Sequence, residues 1–183
     1  MSLNFAILGM LKEKAMSGYD IKKEMQSSSL MYWSGNNNQV YKALIQLSEQ
    51  SYIISETIHS DGSPSKKIYS ITEEGIAALI DWMIQTPVEL PEYRKPFLLQ
   101  IACCDLLNPK QILHLMEQYR KEINLVLTME HEKKRRDTEE KEGIAKVIQE
   151  MTHANVLSFY ETELNWLNEY EEKIRQLISE GSV

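Results

Sequence analysis

The sequence predicts a mainly α-helical protein with one small β-hairpin, on three observations. Apolar residues recur at helical spacing along most of the 183 residues. Strand-like alternation of apolar and polar residues is confined to two short runs on either side of a polar segment at residues 59–65. Three prolines between residues 87 and 96 separate an N-terminal from a C-terminal part. We therefore expect two domains, residues 1–86 and residues 87–183.

Three helices are predicted before residue 50. Helical spacing of apolar residues indicates a first helix over residues 3–13. Ser17, followed three residues later by Asp20, is typical of an N-cap with a variant of the capping box, and predicts a second helix. A third helix begins near Asn36 or Asn37, because asparagine is a good N-cap. Its buried stripe follows the i, i+4, i+7 pattern at Val40, Leu44 and Leu47.

A hairpin and a fourth helix follow. Residues 52–58 alternate as a strand with Ile54 and Ile58 on one face, and residues 67–71 return as a second strand after the polar turn at 59–65. Thr72 is a suitable N-cap for a fourth helix, whose first turn carries two acidic residues. The order helix, helix, helix, hairpin, helix predicts a winged helix-turn-helix.

Long amphipathic helices fill the C-terminal part. Residues 97–107 predict a short apolar helix, and Asn108-Pro109 predicts the N-cap and first residue of a longer one. Gly143 interrupts or ends that helix, and a final helix carries apolar residues as far as Ile178. Two long apolar stripes with few partners in the chain indicate that another subunit covers them. We expect an antiparallel helical domain that forms a homodimer.

Composition argues against several classes of protein. No apolar run approaches the roughly 20 residues of a membrane span, and the N-terminus lacks the pattern of a secretory leader. The only cysteines, Cys103 and Cys104, are adjacent in an apolar segment, which favours inert buried thiols and a reduced, cytoplasmic setting. No phosphate loop or nucleophile elbow rises above chance. Glu150 and His153 have the Glu-x-x-His spacing of carboxylate metal sites, but such sites need further ligands and a second copy is absent, so a surface pair is the favoured reading. We therefore expect no catalysis, cofactor, metal or membrane contact.

The distribution of charge permits contact with nucleic acid despite a net charge of -7. Residues 1–72 contain seven lysines and six acidic residues, a balance of +1, whereas the rest contains 13 basic and 21 acidic residues, a balance of -8. A local basic face matters more for nucleic-acid binding than the overall charge. The acidity therefore lies outside the predicted winged helix.

The polar start of the third helix is the strongest candidate for a DNA contact. Asparagine and glutamine pair with adenine in the major groove, while lysine and the tyrosine hydroxyl reach phosphates. The alternative is an asparagine-rich cap on a structural helix. We favour DNA contact because the hairpin completes the motif order of a winged helix-turn-helix. The residues predicted to contact DNA are Asn36, Asn37, Asn38, Gln39, Tyr41 and Lys42 in this helix, Ser17 and Tyr19 at the start of the second helix, and Ser65, Lys66 and Lys67 near the hairpin tip. Strand alternation sends the last two to opposite faces, and we favour Lys66 for the phosphates.

Aromatic residues near the predicted domain boundary are candidates for binding a small effector. They are Trp82, Tyr93, Phe97 and Tyr119. An effector pocket between the DNA-binding domain and the dimer helices would be lined by such rings. Aromatic residues at helical spacing are more often core, so packing is the alternative for each of them.

Four segments of the first 80 residues together resemble the PadR family of transcriptional regulators. These segments are residues 6–11 (AILGML), 17–21 (SGYDI), 39–44 (QVYKAL) and 64–75 (PSKKIYSITEEG). The C-terminal half resembles, by length and helix pattern, the dimerisation region of the longer members grouped with the virulence activator AphA. The resemblance implies a dimeric winged-helix DNA binder, usually a repressor, and many relatives are released by a small aromatic or hydrophobic molecule.

Three positions depart from the family pattern. Asn38 and Ser51 stand where many relatives carry glycine, and Ser63 stands where an arginine is common in the wing. Asparagine tolerates a left-handed backbone better than most residues, so Asn38 is expected to take the glycine's role. Ser63 removes a strong arginine contact from the wing, which shifts the expected specificity toward residues 37–42.

The leading hypothesis is a homodimeric repressor that places two third helices in successive major grooves of a pseudo-palindromic operator. A small aromatic or hydrophobic effector would release it by favouring another dimer geometry. The competing hypothesis is a winged-helix adaptor that binds protein and no operator, which the overall acidity and the missing wing arginine favour.

Overall fold

The structure is a computed structural model that describes residues 3–28, 37–60, 63–90, 94–136 and 141–181. The chain forms two compact units, Met1–Leu90 and Pro91–Val183. None of the helices in these described ranges has both the length and the apolar character that crossing a membrane requires.

The first unit is a helical core with a small sheet on one side. Its helices are α1 (Leu3–Glu13), α2 (Gly18–Ser27), α3 (Asn37–Glu49) and α4 (Glu73–Gln85). Apolar side chains from all four helices share one core, in which Ile7, Ile21 and Leu44 are fully buried. The stripe predicted on α3 is confirmed, since Val40, Leu44 and Leu47 are all buried.

The sheet has three antiparallel strands in the order β1-β3-β2, formed by β1 (Met16–Ser17), β2 (Ile53–Ser60) and β3 (Ser63–Ile71). β2 and β3 are the predicted hairpin, and they reach further toward its tip than the sequence indicated, with Ser60 paired to Ser63. β1 was not predicted, because two residues are too few to show alternation. It pairs Met16 with Tyr69 and Ser17 with Ile68, and so joins the base of the hairpin to the start of α2.

The junctions on either side of the hairpin carry close backbone contacts. Ser51, in the turn after α3, has a φ of 59°, a left-handed conformation that suits glycine. Thr72 caps α4 by accepting from the Gly75 N–H, and its hydroxyl donates to the Ser51 carbonyl at 2.7 Å. The expectation of a left-handed Asn38 is wrong, because this residue lies inside the regular helix α3.

The second unit is built on two long helices, α6 (Pro109–Arg136) and α7 (Gly143–Ser179). They run antiparallel, since Arg120 contacts Glu171 near one end while Glu130 lies 3.8 Å from His153 near the other. The predicted cap is confirmed, because the Asn108 side chain accepts from the Gln111 N–H at 3.0 Å.

A shorter helical segment precedes α6 and corrects the prediction of one helix over residues 97–107. The chain forms α5 (Pro96–Ala102) and then a separate 3-10 turn (Cys104–Leu106). The chain does not continue as one helix after Ala102.

The expectation of two buried thiols is right for Cys104 and wrong for Cys103, which is exposed. Cys104 donates toward the Gln100 carbonyl, and its burial raises the pKa of the thiol.

Candidate nucleic-acid interface

One face of α3 is polar and open to solvent. Asn38, Gln39, Tyr41 and Lys42 are exposed on it, while the opposite face is buried in the core. The helix begins at Asn37, within the predicted start at Asn36 or Asn37. Asn36, and the side chain of Asn37, lie outside the part of the chain that the structure describes. The arrangement presents amide, phenol and ammonium groups within the first two turns of a helix.

Tyr41 also ties α3 to the start of α2. A β-carbon added at Gly18 would lie 2.8 Å from Cε1 of the Tyr41 ring, so a larger residue at this position would require the ring to shift. Burial raises the pKa of the neighbouring Tyr69, and the proximity of Tyr41 adds to that shift. One side of the Tyr41 ring therefore packs against the start of α2, and its hydroxyl is the group predicted to contact phosphate.

Ser17 and Asp20 form the capping box that the sequence predicted. The Ser17 hydroxyl donates to Asp20 Oδ2 at 2.6 Å, and the Asp20 N–H donates back to the Ser17 Oγ at 3.2 Å. Ser17 is only 4% exposed, and its backbone N–H also donates to the Asp20 carboxylate. Both groups are therefore occupied within α2, and the phosphate contact of Ser17 stays a prediction. Tyr19, two residues on, is exposed.

The hairpin lysines contact different neighbours, as alternation along β3 predicts. Lys66 lies 2.9 Å from the Asp20 carboxylate, and Lys67 lies 5.4 Å from the centre of the Tyr69 ring. The hydrogen bond from Ser17 and then the contact with Lys66 lower the pKa of Asp20 to about 2. Lys66, the lysine favoured for phosphate, thus already has an acidic partner, although it and Ser65 remain exposed.

Two residues of this surface escaped the sequence reasoning. Asp20 was read only as a capping residue, and its contact with a lysine 46 positions away leaves no local sequence signal. Ile45 is a large apolar residue that is 58% exposed on the open side of α3. Its spacing, i+4 from Tyr41, is a signal that could have placed it on this face.

The described aromatic candidates for an effector site belong to both units. Trp82 stacks on Phe5 in the first unit, with ring centroids 4.9 Å apart. Phe97 and Tyr119 stack on each other in the second unit at 3.8 Å. Tyr93 lies outside the described residues.

A buried polar group adjoins the stacked pair in the second unit. Glu163 accepts from the Tyr119 hydroxyl at 2.9 Å and from the Lys95 ammonium at 2.5 Å. The same lysine lies 4.8 Å from the centre of the Phe159 ring. A cation, a phenol and aromatic faces therefore occur together here. Within the described ranges, no group of three His, Cys, Asp or Glu residues has the arrangement of a metal site.

Two family models match this chain, one in each unit. Residues 7–81 match the transcriptional regulator PadR-like family, and residues 93–175 match the virulence activator alpha C-terminal family. Together they span both the winged-helix surface and the long antiparallel helices.

A curated relative is similar to this chain over part of its length. The negative transcriptional regulator PadR of Bacillus subtilis is 34% identical over 83 residues, which are 45% of this chain and 46% of the relative. The matched segment thus spans about half the length of this curated relative.

Solved structures extend the likeness in fold to nearly the whole chain. The B. subtilis PadR complex with operator DNA has a TM-score of 0.76 at 22% identity, covering 94% of this chain and 98% of that one. The same protein with p-coumaric acid gives 0.70 at 20% identity, covering 94% and 95%. The Vibrio cholerae virulence activator AphA gives 0.65 at 22% identity, covering 96% and 99%.

Proposed function

Because this chain belongs to the PadR-like family of transcriptional regulators, we propose that it binds double-stranded DNA as a homodimer and represses transcription in the cytoplasm. Residues 1–86 are the DNA-binding domain and residues 87–183 the dimerisation domain. The observation that carries the proposal is the exposed polar face of α3 beside a basic two-stranded wing.

The face of α3 is suited to the major groove. Asn38 and Gln39 can form paired hydrogen bonds with adenine edges, and Lys42 can reach a phosphate. Ser65 and Lys67 on the wing then lie toward the backbone or minor groove. The favourable net charge of residues 1–72 supports this docking, since phosphate neutralisation supplies much of the affinity.

The long helices of the second unit support a homodimer. α7 exposes a series of large apolar side chains near its start, namely Ile144, Val147, Ile148 and Met151. Their spacing is helical, and a soluble protein seldom leaves such a stripe in water. A second copy covers it in our proposal, and two-fold symmetry then presents two α3 helices to a pseudo-palindromic operator.

Release by an effector is the finer part of the proposal. The B. subtilis relative has been solved with p-coumaric acid, an aromatic carboxylic acid. In this chain Phe97, Tyr119 and Lys95 provide aromatic faces and a cation for a small aromatic ligand. Such a ligand releases DNA only if it binds more tightly to a dimer geometry that does not fit the operator.

The test measures binding to the DNA upstream of the protein's own gene as salt increases. Lys42→Ala should weaken binding and reduce the slope of log affinity against log salt by about one unit, because one phosphate contact is lost. Lys12→Ala, which removes an exposed lysine paired with Glu13 at the end of α1, is the matched control and should keep the slope.

Two results would count against the proposal. An unchanged slope in Lys42→Ala removes this lysine from the phosphate contacts. A stable monomer in sedimentation at micromolar concentration contradicts the homodimer. A stable dimer that binds none of this DNA at low salt would favour the protein-interaction adaptor instead.

A further inference from the structure

Ile45 is the exception to the burial pattern of α3. The other aliphatic residues from Val40 to Leu47 are at most 3% exposed, whereas Ile45 is 58% exposed. Its neighbours on the open side, Lys42, Gln46 and Glu49, are polar and also exposed. Ile45 is therefore the one exposed aliphatic side chain among the described residues of α3.

The position of Ile45 along α3 aligns it with the predicted DNA contacts. Asn38, Tyr41, Lys42 and Ile45 follow the spacing i, i+3, i+4, i+7, which places them in one row along the helix. The row is about 10 Å long at 1.5 Å per residue. Helices that read the major groove use this same spacing for their base contacts, as homeodomains do.

We propose that Ile45 selects a thymine in the operator by packing on its 5-methyl group. The inference rests on the proposed DNA binding and names a specificity-determining residue for it. The thymine methyl is the apolar group that the major groove offers among hydrogen-bonding edges. An isolated isoleucine in a polar row matches an isolated methyl in a polar groove. Its β-branched side chain is already restricted in a helix, so little freedom is lost on contact.

The apolar stripe on α4 differs from Ile45 and is typical of a surface that binds another protein segment. Ile76, Ile80, Met83 and Ile84 are all exposed and lie at i, i+4, i+7 and i+8, so they form a continuous apolar strip. Such a strip suits the apolar surface of another protein segment. Among the described residues of α3, Ile45 has no second exposed aliphatic residue beside it.

The experiment compares DNA duplexes that differ by one methyl group. Full-length protein selects its preferred duplex from a random-sequence pool, and each thymine of that duplex is then replaced in turn by deoxyuridine, which lacks only the 5-methyl. The unmodified protein should lose about four-fold in affinity at one thymine of each half-site, the factor expected for one buried methyl group. Ile45→Ala should bind the original duplex more weakly and show no further loss at that thymine.

The controls separate this contact from a general loss of binding. Ile80→Ala removes another exposed isoleucine and should retain the full loss at every sensitive thymine. Ile45→Val keeps one branch of the side chain and should show an intermediate loss, which preserves the test if the alanine variant unfolds.

Each unfavourable result has one meaning. Duplexes that are selected and bound without any sensitivity to uracil overturn the role of Ile45 and leave DNA binding intact. Sensitivity that persists unchanged in Ile45→Ala assigns the methyl contact to another residue. Failure to select any duplex overturns the proposed function itself.

Discussion

The two units of the chain bury different kinds of side chain. The core of the first unit is apolar, and Ser17 is the buried polar residue among its described positions. The second unit buries three carboxylates, Glu130, Glu163 and Glu171, beside a smaller apolar cluster. Each of these carboxylates has a cationic partner.

The contrast shows how each unit obtains its stability. An apolar core is held by the hydrophobic effect, which needs no partner outside the unit. Buried ion pairs add little net stability after desolvation, but their geometry favours one alignment of the helices that carry them. Arg120, which contacts both Asn168 and Glu171, thus favours a single register of α6 on α7. The first unit is therefore held by its apolar core, whereas the second is aligned by buried charge and exposes an apolar stripe at the start of α7.

Gly75→Ala should have the largest effect and should be confined to the first unit. A β-carbon there would lie 2.1 Å from the Tyr52 carbonyl oxygen, a backbone atom that cannot turn aside. We expect a loss of about 3 kcal/mol in the free energy of unfolding, at the upper end for overpacking. Hydrogen exchange should accelerate in α1 and α4 and stay unchanged in α6 and α7. Glu74→Ala, at the exposed neighbouring position, is the control. Equal acceleration in both units would show that they do not unfold separately.

Glu163→Ala tests the role of buried charge in the second unit. It leaves Lys95 without its 2.5 Å partner in a site where the two side chains are 17% and 11% exposed. We expect a loss of about 2 kcal/mol, below that of a fully buried pair because some solvent access remains. The double variant Lys95→Met with Glu163→Leu should recover most of it, since no unpaired charge is left. Failure of this recovery in thermal unfolding would contradict the view that charge serves alignment more than stability.

Asp20→Asn tests the ionic contact between α2 and Lys66 of the wing in the first unit. The pKa of Asp20 is lowered from 3.8 to about 2, so its ionised form stabilises the fold above pH 3.8. This stabilisation is lost as the pH falls from 3.8 toward 2, where the carboxyl gains a proton. We expect Asp20→Asn to cost about 1 kcal/mol or less at pH 6, because the contact is partly exposed. Urea unfolding at pH 6, 4 and 3 should show that the difference in unfolding free energy between the variant and the unmodified protein decreases as the pH falls. Glu56→Gln, on the exposed side of β2, is the control, and a constant difference for Asp20→Asn would refute the assignment.

Ser51→Gly should give the smallest change and in the opposite direction. Serine at a φ of 59° is strained, and glycine adopts this conformation freely. We expect a gain of about 0.5 kcal/mol after the greater freedom of glycine in the unfolded chain is subtracted. Ser48→Gly, in the last turn of α3, should instead lose stability, because glycine weakens a helix. Thermal unfolding of both variants gives the comparison, and a loss in Ser51→Gly would show that its hydroxyl matters more than its backbone.

The sequence predicted the features that depend on local pattern. The caps at Ser17 and Thr72 and the buried stripe of α3 follow from residues within one or two turns, and each is present. The polar row of α3 followed in the same way, because helical periodicity alone exposes it.

The remaining features depend on contacts between distant residues. The two-residue strand β1 exists only because β3 pairs with it. The Asp20–Lys66 contact requires α2 and the hairpin to be in place. Buried glutamates such as Glu163 run against the rule that charged residues lie on the surface, and only the fold reveals their partners. The exposure of Ile45 likewise depends on which side of α3 meets the core.

The short strand β1 has a mechanical consequence for the wing. It pairs with β3 at Ile68 and Tyr69, and Lys66 of β3 forms an ion pair with Asp20 of α2. The sheet consists of β2 and β3 where β1 does not pair with it, and a two-stranded ribbon twists more readily than a wider sheet. The contact between Lys66 and Asp20 therefore holds the wing closer to its tip than the pairs between β1 and β3 do. Loss of the Asp20 contact would leave the wing joined to the start of α2 through the pairing of β3 with β1.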